Sequence, residues 1–205
     1  MIKAADTRHI GRFKSDLGLT ESNEPINILY VTAHPDDETM FFSPSILTLQ
    51  TFQWYPDIDS CSGSQWDPEQ VARHISESVD KWDINVLITF DSYGVSGHSN
   101  HISCYLGVEH YLKHFSRRRL VAYRLKSVSL LQKYCWPLGL RLFNPFQKRE
   151  QNEHSSPSIK FFNPKPSATL YAMELHESQL VWFRRIYMSL SQYVHWNELE
   201  KIEGC

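Results

Sequence analysis

The sequence contains no apolar run of 18 residues or more, so no segment reads as a membrane-spanning helix. Its first 24 residues are polar and hold no apolar stretch of the kind that marks a secretory signal. That segment is expected to be loosely ordered. The four cysteines, Cys61, Cys104, Cys135 and Cys205, include no Cys-x-x-Cys pair, and they read as free thiols in a reducing compartment rather than as a disulfide framework. No charge of one sign dominates: the formal net charge is −2, which gives no ground for nucleic-acid binding. The one basic run, Arg117-Arg118-Arg119, follows an expected helix, where cations complement the negative end of the helix dipole. Internal repeats are missing as well. What remains is a chain of 205 residues that is 41% apolar, enough for one domain with a core and too little for two.

The apolar pattern alternates between the two periods. Residues 26–33 read as a buried strand, rich in Ile, Leu and Val and bounded by Pro25 and an acidic cluster. Residues 39–50 read as a helix whose regular part begins near Ser43, because Pro44 is tolerated only in a first turn. After an irregular stretch over 51–67, Val71, Ile75 and Val79 recur at four-residue steps and predict a helix over 68–80. Residues 86–90 form the second clear strand pattern and 121–125 the third. Between them, 101–115 reads as a helix with Ile102, Tyr105, Leu106, Leu112 and Phe115 facing inward and Ser103, Gly107, His110 and His114 outward. Residues 128–142 are apolar and aromatic, 144–158 read as a loop, 159–162 as a short strand, and 167–194 as one long helix that packs Trp182, Phe183 and Tyr187. Strands alternating with helices predict an α/β fold: a Rossmann-like, mostly parallel sheet flanked by helices. The expected division is a polar N-terminal segment over 1–24, one domain over 25–199 and a tail over 200–205.

Sites in such sheets form outside the carboxyl ends of the strands, and two unusual loops fall there. The first closes the first strand with His34-Pro35-Asp36-Asp37-Glu38; the second follows Phe90 and contains Gly97-His98-Ser99-Asn100-His101. A hydrophobic core does not accommodate that many charges without partners. The spacings His34-x-x-Asp37 and His98-x-x-His101 supply two or three imidazoles and a carboxylate, the donor set of a catalytic divalent-metal site. A metal held there lowers the pKa of water and polarises a carbonyl, a spare carboxylate is available as a base, and a spare imidazole can stabilise an oxyanion. The inventory suits amide or ester hydrolysis. The bland readings are that Asp37 only caps a helix, that His110 and His114 are solvated, and that Cys104, one turn beyond His101, is a core residue.

These residues carry a resemblance. The run 33–38, Phe41-Phe42-Ser43-Pro44, Thr89-Phe90-Asp91 and the run 94–101 resemble the N-acetylglucosaminylphosphatidylinositol de-N-acetylase family, the eukaryotic branch of the LmbE-like zinc-dependent de-N-acetylases. The run 176–187, His-Glu-Ser-Gln-Leu-Val-Trp-Phe-Arg-Arg-Ile-Tyr, resembles that branch's tail, as does Ser127-Val128 leading to Lys133-Tyr134. The resemblance implies that His34, Asp37 and His101 bind a zinc-type metal, that Asp36 is the general base, and that His98 steadies the tetrahedral intermediate. Asp91 and Glu38 are expected to shape the loops. The implied substrate is a phosphatidylinositol glycolipid at the cytoplasmic face of the endoplasmic reticulum membrane, deacetylated in the second step of glycosylphosphatidylinositol anchor synthesis. Two features depart from the pattern: relatives carry a membrane-spanning segment before the first strand, and a strand, a helix and a further strand expected after residue 50 are not visible, which reads as an internal shortening near 50–54. Two other readings stay open: an inactive or poorly folded shortened isoform acting at most as a binding partner, and a deacetylase for soluble N-acetylglucosaminides.

Overall fold

The structure is a computed structural model that describes residues 7–19, 25–49, 66–116, 119–134 and 158–203. The run Val86-Leu87-Ile88-Thr89-Phe90 is β-prone throughout, and it forms strand β2 (Val86–Phe90), in which every residue is buried. Thr89, its only polar member, donates its hydroxyl to the Val31 carbonyl at 2.9 Å. On one side β2 pairs in parallel with β1 (Ile28–Tyr30), on the other with β3 (Val121–Leu125). Parallel neighbours require a crossover. Helix α4 (Ser99–His114) supplies one between β2 and β3, and helix α3 (Pro68–Trp82) leads into β2. Strand β5 (Trp196–Lys201) then runs antiparallel between β3 and β4 (Ser158–Phe162), giving the order β1-β2-β3-β5-β4. The expected α/β fold is present, with one strand reversed in the middle of the sheet.

That strand corrects the expected tail over 200–205. Glu200 and Lys201 pair with β3, and Ile202 is buried. Only Asn197 and Leu199 point inward from a polar hexapeptide, so the alternation is too short to stand out. The N-terminal segment is likewise more ordered than expected. Helix α1 (Thr7–Leu17) buries Phe13 and Leu17, four residues apart, and lays the Phe13 ring against Tyr123 and Phe161 of the sheet.

The helix after the first loop starts as its proline demands. A π-helical turn, Glu38–Phe42, precedes helix α2 (Ser43–Leu49). The expected helix over 167–194 is instead four pieces: α6 (Pro166–Leu175), a 3₁₀ turn (Glu177–Gln179), α7 (Trp182–Leu190) and α8 (Gln192–His195). Breaks at His176 and Val181, and Ser191 capping α8 by accepting from the Tyr193 N–H, divide it. Trp182 and Phe183, expected in the core, are 73% and 55% exposed. The short helix α5 (Leu130–Tyr134) opens the apolar stretch read over 128–142. Most of that stretch, the loop over 144–158, most of the irregular stretch over 51–67 and the shortening near 50–54 lie outside the described residues, as do Arg117 and Arg118.

The buried face of α4 is also not the one its apolar residues suggested. Ser103, Cys104, Gly107, Val108 and Tyr111 are buried, whereas Ile102, Leu106 and Leu112 are half-buried. The reason is close packing on α3. A Cβ added at Gly107 would lie 2.2 Å from Cγ1 of Val71, so the small residues mark where the two helices touch. Gly107→Ala is expected to destabilise the fold by about 1–3 kcal/mol through overpacking, read as a lower urea midpoint. Adding Val71→Ala in the same chain is expected to recover part of the loss.

Candidate functional site

After its last sheet contact, Val31 N–H to the Ile88 carbonyl at 2.8 Å, the chain from β1 turns sharply across Ala33–Asp37. Asp37 holds that turn. Its Oδ2 accepts from the backbone N–H groups of Ala33 (2.9 Å) and His34 (2.8 Å), and the residue is only 2% exposed. Burial alone would push this carboxyl upward, but hydrogen bonds from the rings of His101 and His34 outweigh it and hold it well below the usual carboxylate range. Asp37 is therefore ionised and faces two imidazoles.

The second loop delivers His101. Phe90 ends β2, and its ring stacks flat on the His101 imidazole with centroids 3.9 Å apart. Asp91 then organises the turn. Its Oδ1 accepts from Gly94 N–H (2.9 Å), Tyr93 N–H (3.2 Å) and the Ser127 hydroxyl (2.7 Å), and its Oδ2 from Ser127 N–H (2.7 Å). This network carries Gly94 and Val95 at φ of 63° and 65°, and a β-branched residue rarely accepts such a value. Val95 N–H is held by the Ser127 hydroxyl at 2.9 Å. The turn aims the Gly94 carbonyl at His101 Nδ1, 3.1 Å away. With a metal bound, a proton kept on Nδ1 and donated there would free the Nε2 lone pair to ligate it.

Donor atoms of three residues converge, each imidazole facing a different oxygen of Asp37. His34 Nδ1 and His101 Nε2 are 3.3 Å apart, His101 Nε2 and Asp37 Oδ1 3.3 Å, and His34 Nδ1 and Asp37 Oδ2 3.4 Å. A tetrahedral ion with metal–donor distances of about 2.0–2.2 Å has donor–donor edges of roughly 3.3–3.6 Å, so the residues present fit a divalent metal. The rings of His34, His98 and His101 form a second group able to hold an ion, with one nitrogen from each within 4.8 Å of the others. His98 lies edge-on to His34 (4.7 Å) and roughly parallel to His101 (4.8 Å) and is exposed. Partial burial and the neighbouring His101 push its pKa down, which favours a neutral ring. The hydrogen bond with Asp37 raises that of His34.

Asp36, buried in the same turn, is pushed up by burial and held back by the Arg184 guanidinium that contacts its Oδ2. Glu38 accepts from His176 (2.9 Å) and from the Thr39 hydroxyl (2.9 Å). His34, Asp36, Asp37, His98 and His101 all line one cavity of about 680 Å³, together with Met40, Phe41, Lys133, Tyr134, Arg184 and Tyr187, among others. Cys104 is buried in the core and does not line it, and His110 and His114 pack on each other away from it, with rings 4.4 Å apart.

Arg184, His176 and Lys133 belong to runs singled out in the sequence but given no role there. Their signal was the resemblance of those runs to the family's segments. His176, Arg184 and Tyr187 reach Glu38, Asp36 and the Met40 carbonyl respectively, so the run 176–187 clasps the acidic turn.

A bovine N-acetylglucosaminyl-phosphatidylinositol de-N-acetylase is 30% identical to the chain, the match covering 83% of this chain and 81% of the bovine one. The chain belongs to the N-acetylglucosaminyl-phosphatidylinositol de-N-acetylase family. Further members include the probable enzymes of Schizosaccharomyces pombe, 29% identical over 85% of this chain and 86% of the relative, and Dictyostelium discoideum, 25% identical over 93% and 100%. No protein-family model matches the chain. The bovine and Schizosaccharomyces pombe matches extend over 214 and 219 aligned positions, more than the 205 residues available, so these family members carry residues for which this chain has no counterpart.

The Gly94 carbonyl that orients His101 cannot be kept with a side chain in place. A Cβ would sit 2.9 Å from Cβ of His101 at a positive φ. Gly94→Ala is expected to weaken Zn²⁺ binding by about 10–100-fold, the usual effect of disturbing a ligand's supporting hydrogen bond, measured by titration calorimetry.

Proposed function

We propose that the protein is a metal-dependent amide hydrolase that removes acetate from N-acetylglucosaminyl-phosphatidylinositol, leaving glucosaminyl-phosphatidylinositol for glycosylphosphatidylinositol anchor synthesis. The observation that carries this reading is the convergence of His34, Asp37 and His101 at metal-ligand spacing beside Asp36 and His98 in one cavity. Its substrate is that named for the bovine relative.

His34, Asp37 and His101 would hold the ion, with zinc as the reading from the resemblance. When bound, it acidifies water and polarises the acetamide carbonyl. The chain's own residues do the rest. Asp36, made more basic by burial, takes the proton of the attacking water and returns it to the sugar nitrogen as the C–N bond breaks, so that acetate and the free amine leave; one of its oxygens rests on Arg184, which leaves the other for that task. Neutral His98 donates an N–H to the oxygen of the tetrahedral intermediate. Phe41 and Phe90 pack against His101 and exclude water from behind it. Release of acetate from the glycolipid, added with Zn²⁺, tests the reading directly. Asp36→Asn and His98→Ala are each expected to lower kcat by about 10²–10⁴-fold, while His34→Ala is expected to abolish the rise in melting temperature on adding Zn²⁺. Wild-type protein that neither responds to zinc nor releases acetate would favour the inactive shortened form instead.

The same reading places the protein on the cytoplasmic face of the endoplasmic reticulum membrane. Among the described residues no helix is long and apolar enough to cross a membrane. Exposed apolar side chains on α7 form a patch that supports peripheral contact: Trp182, Phe183 and Ile186. Phe183 and Ile186 also line the cavity, so the patch is continuous with its mouth, where acyl chains could remain in the bilayer while the headgroup enters. An exposed apolar area of this kind marks an interaction site. Trp182→Ser is expected to weaken co-flotation with phosphatidylinositol vesicles by about tenfold or more, from the lost burial of one large side chain. The shortening relative to other members is assigned to the segment near 50–54, within a single domain whose sheet runs on through Lys201 and carries α1 against it.

A further inference from the structure

Lys133 has no place in the mechanism above, and its surroundings are unusual for a lysine. It is 6% exposed yet lines the cavity. Its ammonium lies 5.3 Å from the ring centre of Tyr187, 5.4 Å from that of Tyr134 and 5.9 Å from that of Phe41. Among the described residues no carboxylate pairs with it, and burial, with no opposing charge, pushes its pKa down. Aromatic faces return only about 0.5–2 kcal/mol for a cation, which leaves a buried charge short of partners. The other lysine or arginine among the described residues lining the cavity, Arg184, is engaged by Asp36 and by Gln179 Oε1 at 3.0 Å.

Lys133 is also tied to the metal-ligand cluster. Phe41 presents one ring both to the ammonium and, edge-on at 5.5 Å, to His101. A molecule whose acetamide meets His34, His98 and His101 occupies the cavity that Lys133 also lines. The acetamide and the sugar are neutral. The substrate proposed above carries one anionic group in its headgroup, the phosphodiester on the inositol.

We propose that Lys133 forms an anion subsite for the substrate's phosphodiester, selecting phosphate-bearing N-acetylglucosaminides over neutral ones. This rests on the hydrolase reading for the identity of the ligand. Docking of the phosphate supplies Lys133 with the counter-charge that no carboxylate among the described residues gives it, as a charge-assisted hydrogen bond. The ligand chemistry is a phosphate oxyanion, whether on the glycolipid headgroup or free in solution.

The test is calorimetry on the protein without added metal, with three probes: soluble N-acetylglucosaminyl-inositol phosphate, its dephosphorylated counterpart, and inorganic phosphate. Wild type is expected to bind the phosphate-bearing headgroup at least about tenfold tighter than the neutral one, the ordinary effect of a hydrogen bond to a charged group. Lys133→Met is expected to erase that preference and Lys133→Arg to keep most of it. Inorganic phosphate is expected to compete in wild type and not in Lys133→Met, which separates the anion itself from the rest of the headgroup. The melting temperature of Lys133→Met is read alongside, and Lys133→Gln serves if the methionine variant does not fold. A phosphate preference unchanged in the neutral variants, or absent from wild type, overturns the subsite. Acetate release separates the two proposals. A Lys133-dependent preference in a protein that releases no acetate overturns only the hydrolase reading. Release with an unchanged preference overturns only the subsite.

Discussion

A carboxylate as buried as Asp37 costs several kcal/mol to desolvate, and it persists because two backbone N–H groups and two imidazoles face it. Those partners fix the turn after β1 and draw the first turn of α4 toward it. The chain of support continues outward. His101 rests on the Gly94 carbonyl, Gly94 on Asp91, and Asp91 on Ser127 beyond β3. The carboxyl ends of three parallel strands are thus joined through side chains and not only through the sheet. Charged groups that would be unfavourable singly are mutually satisfied as a set.

The second half of the chain closes this set from outside. His176, Arg184 and Tyr187 bind the acidic turn at Glu38, Asp36 and the Met40 carbonyl. Asn197 of β5 reaches further, donating to the Phe41 carbonyl at 2.6 Å and accepting from Ser45 N–H at 3.0 Å. Both contacts fall where the π-helical turn passes into α2, a junction that departs from regular i to i−4 bonding and leaves backbone groups to be met by side chains.

The strands at 86–90 and 121–125 were legible because short, predominantly apolar runs, broken only by Thr89 and Arg124, signal burial on both faces. The two loops were legible because charge at a strand end has few structural uses. Other parts were hidden for specific physical reasons. The inward face of α4 is made of Ser103, Cys104 and Gly107, and small residues at a close helix contact carry no hydrophobic signal. In α7, Trp182 and Phe183 point outward, against the rule that helical aromatics pack inward, on the patch beside the cavity. Asp36 and Asp37 look alike in sequence. Their environments separate them, one meeting a guanidinium and the other two imidazoles.

The position of β5 bears on the order in which the protein can be made. It lies between β3 and β4 although it follows every other strand in sequence, and the segment that clasps the acidic turn comes just before it. During synthesis the ligand-bearing loops leave the ribosome well before the residues that hold them. Until then β3 keeps an unpaired edge, and Asp36 and Glu38 lack their cationic and imidazole neighbours. Sheet completion and site assembly become a single late event built on long-range contacts, the kind that form slowly and expose nascent chains to mispairing.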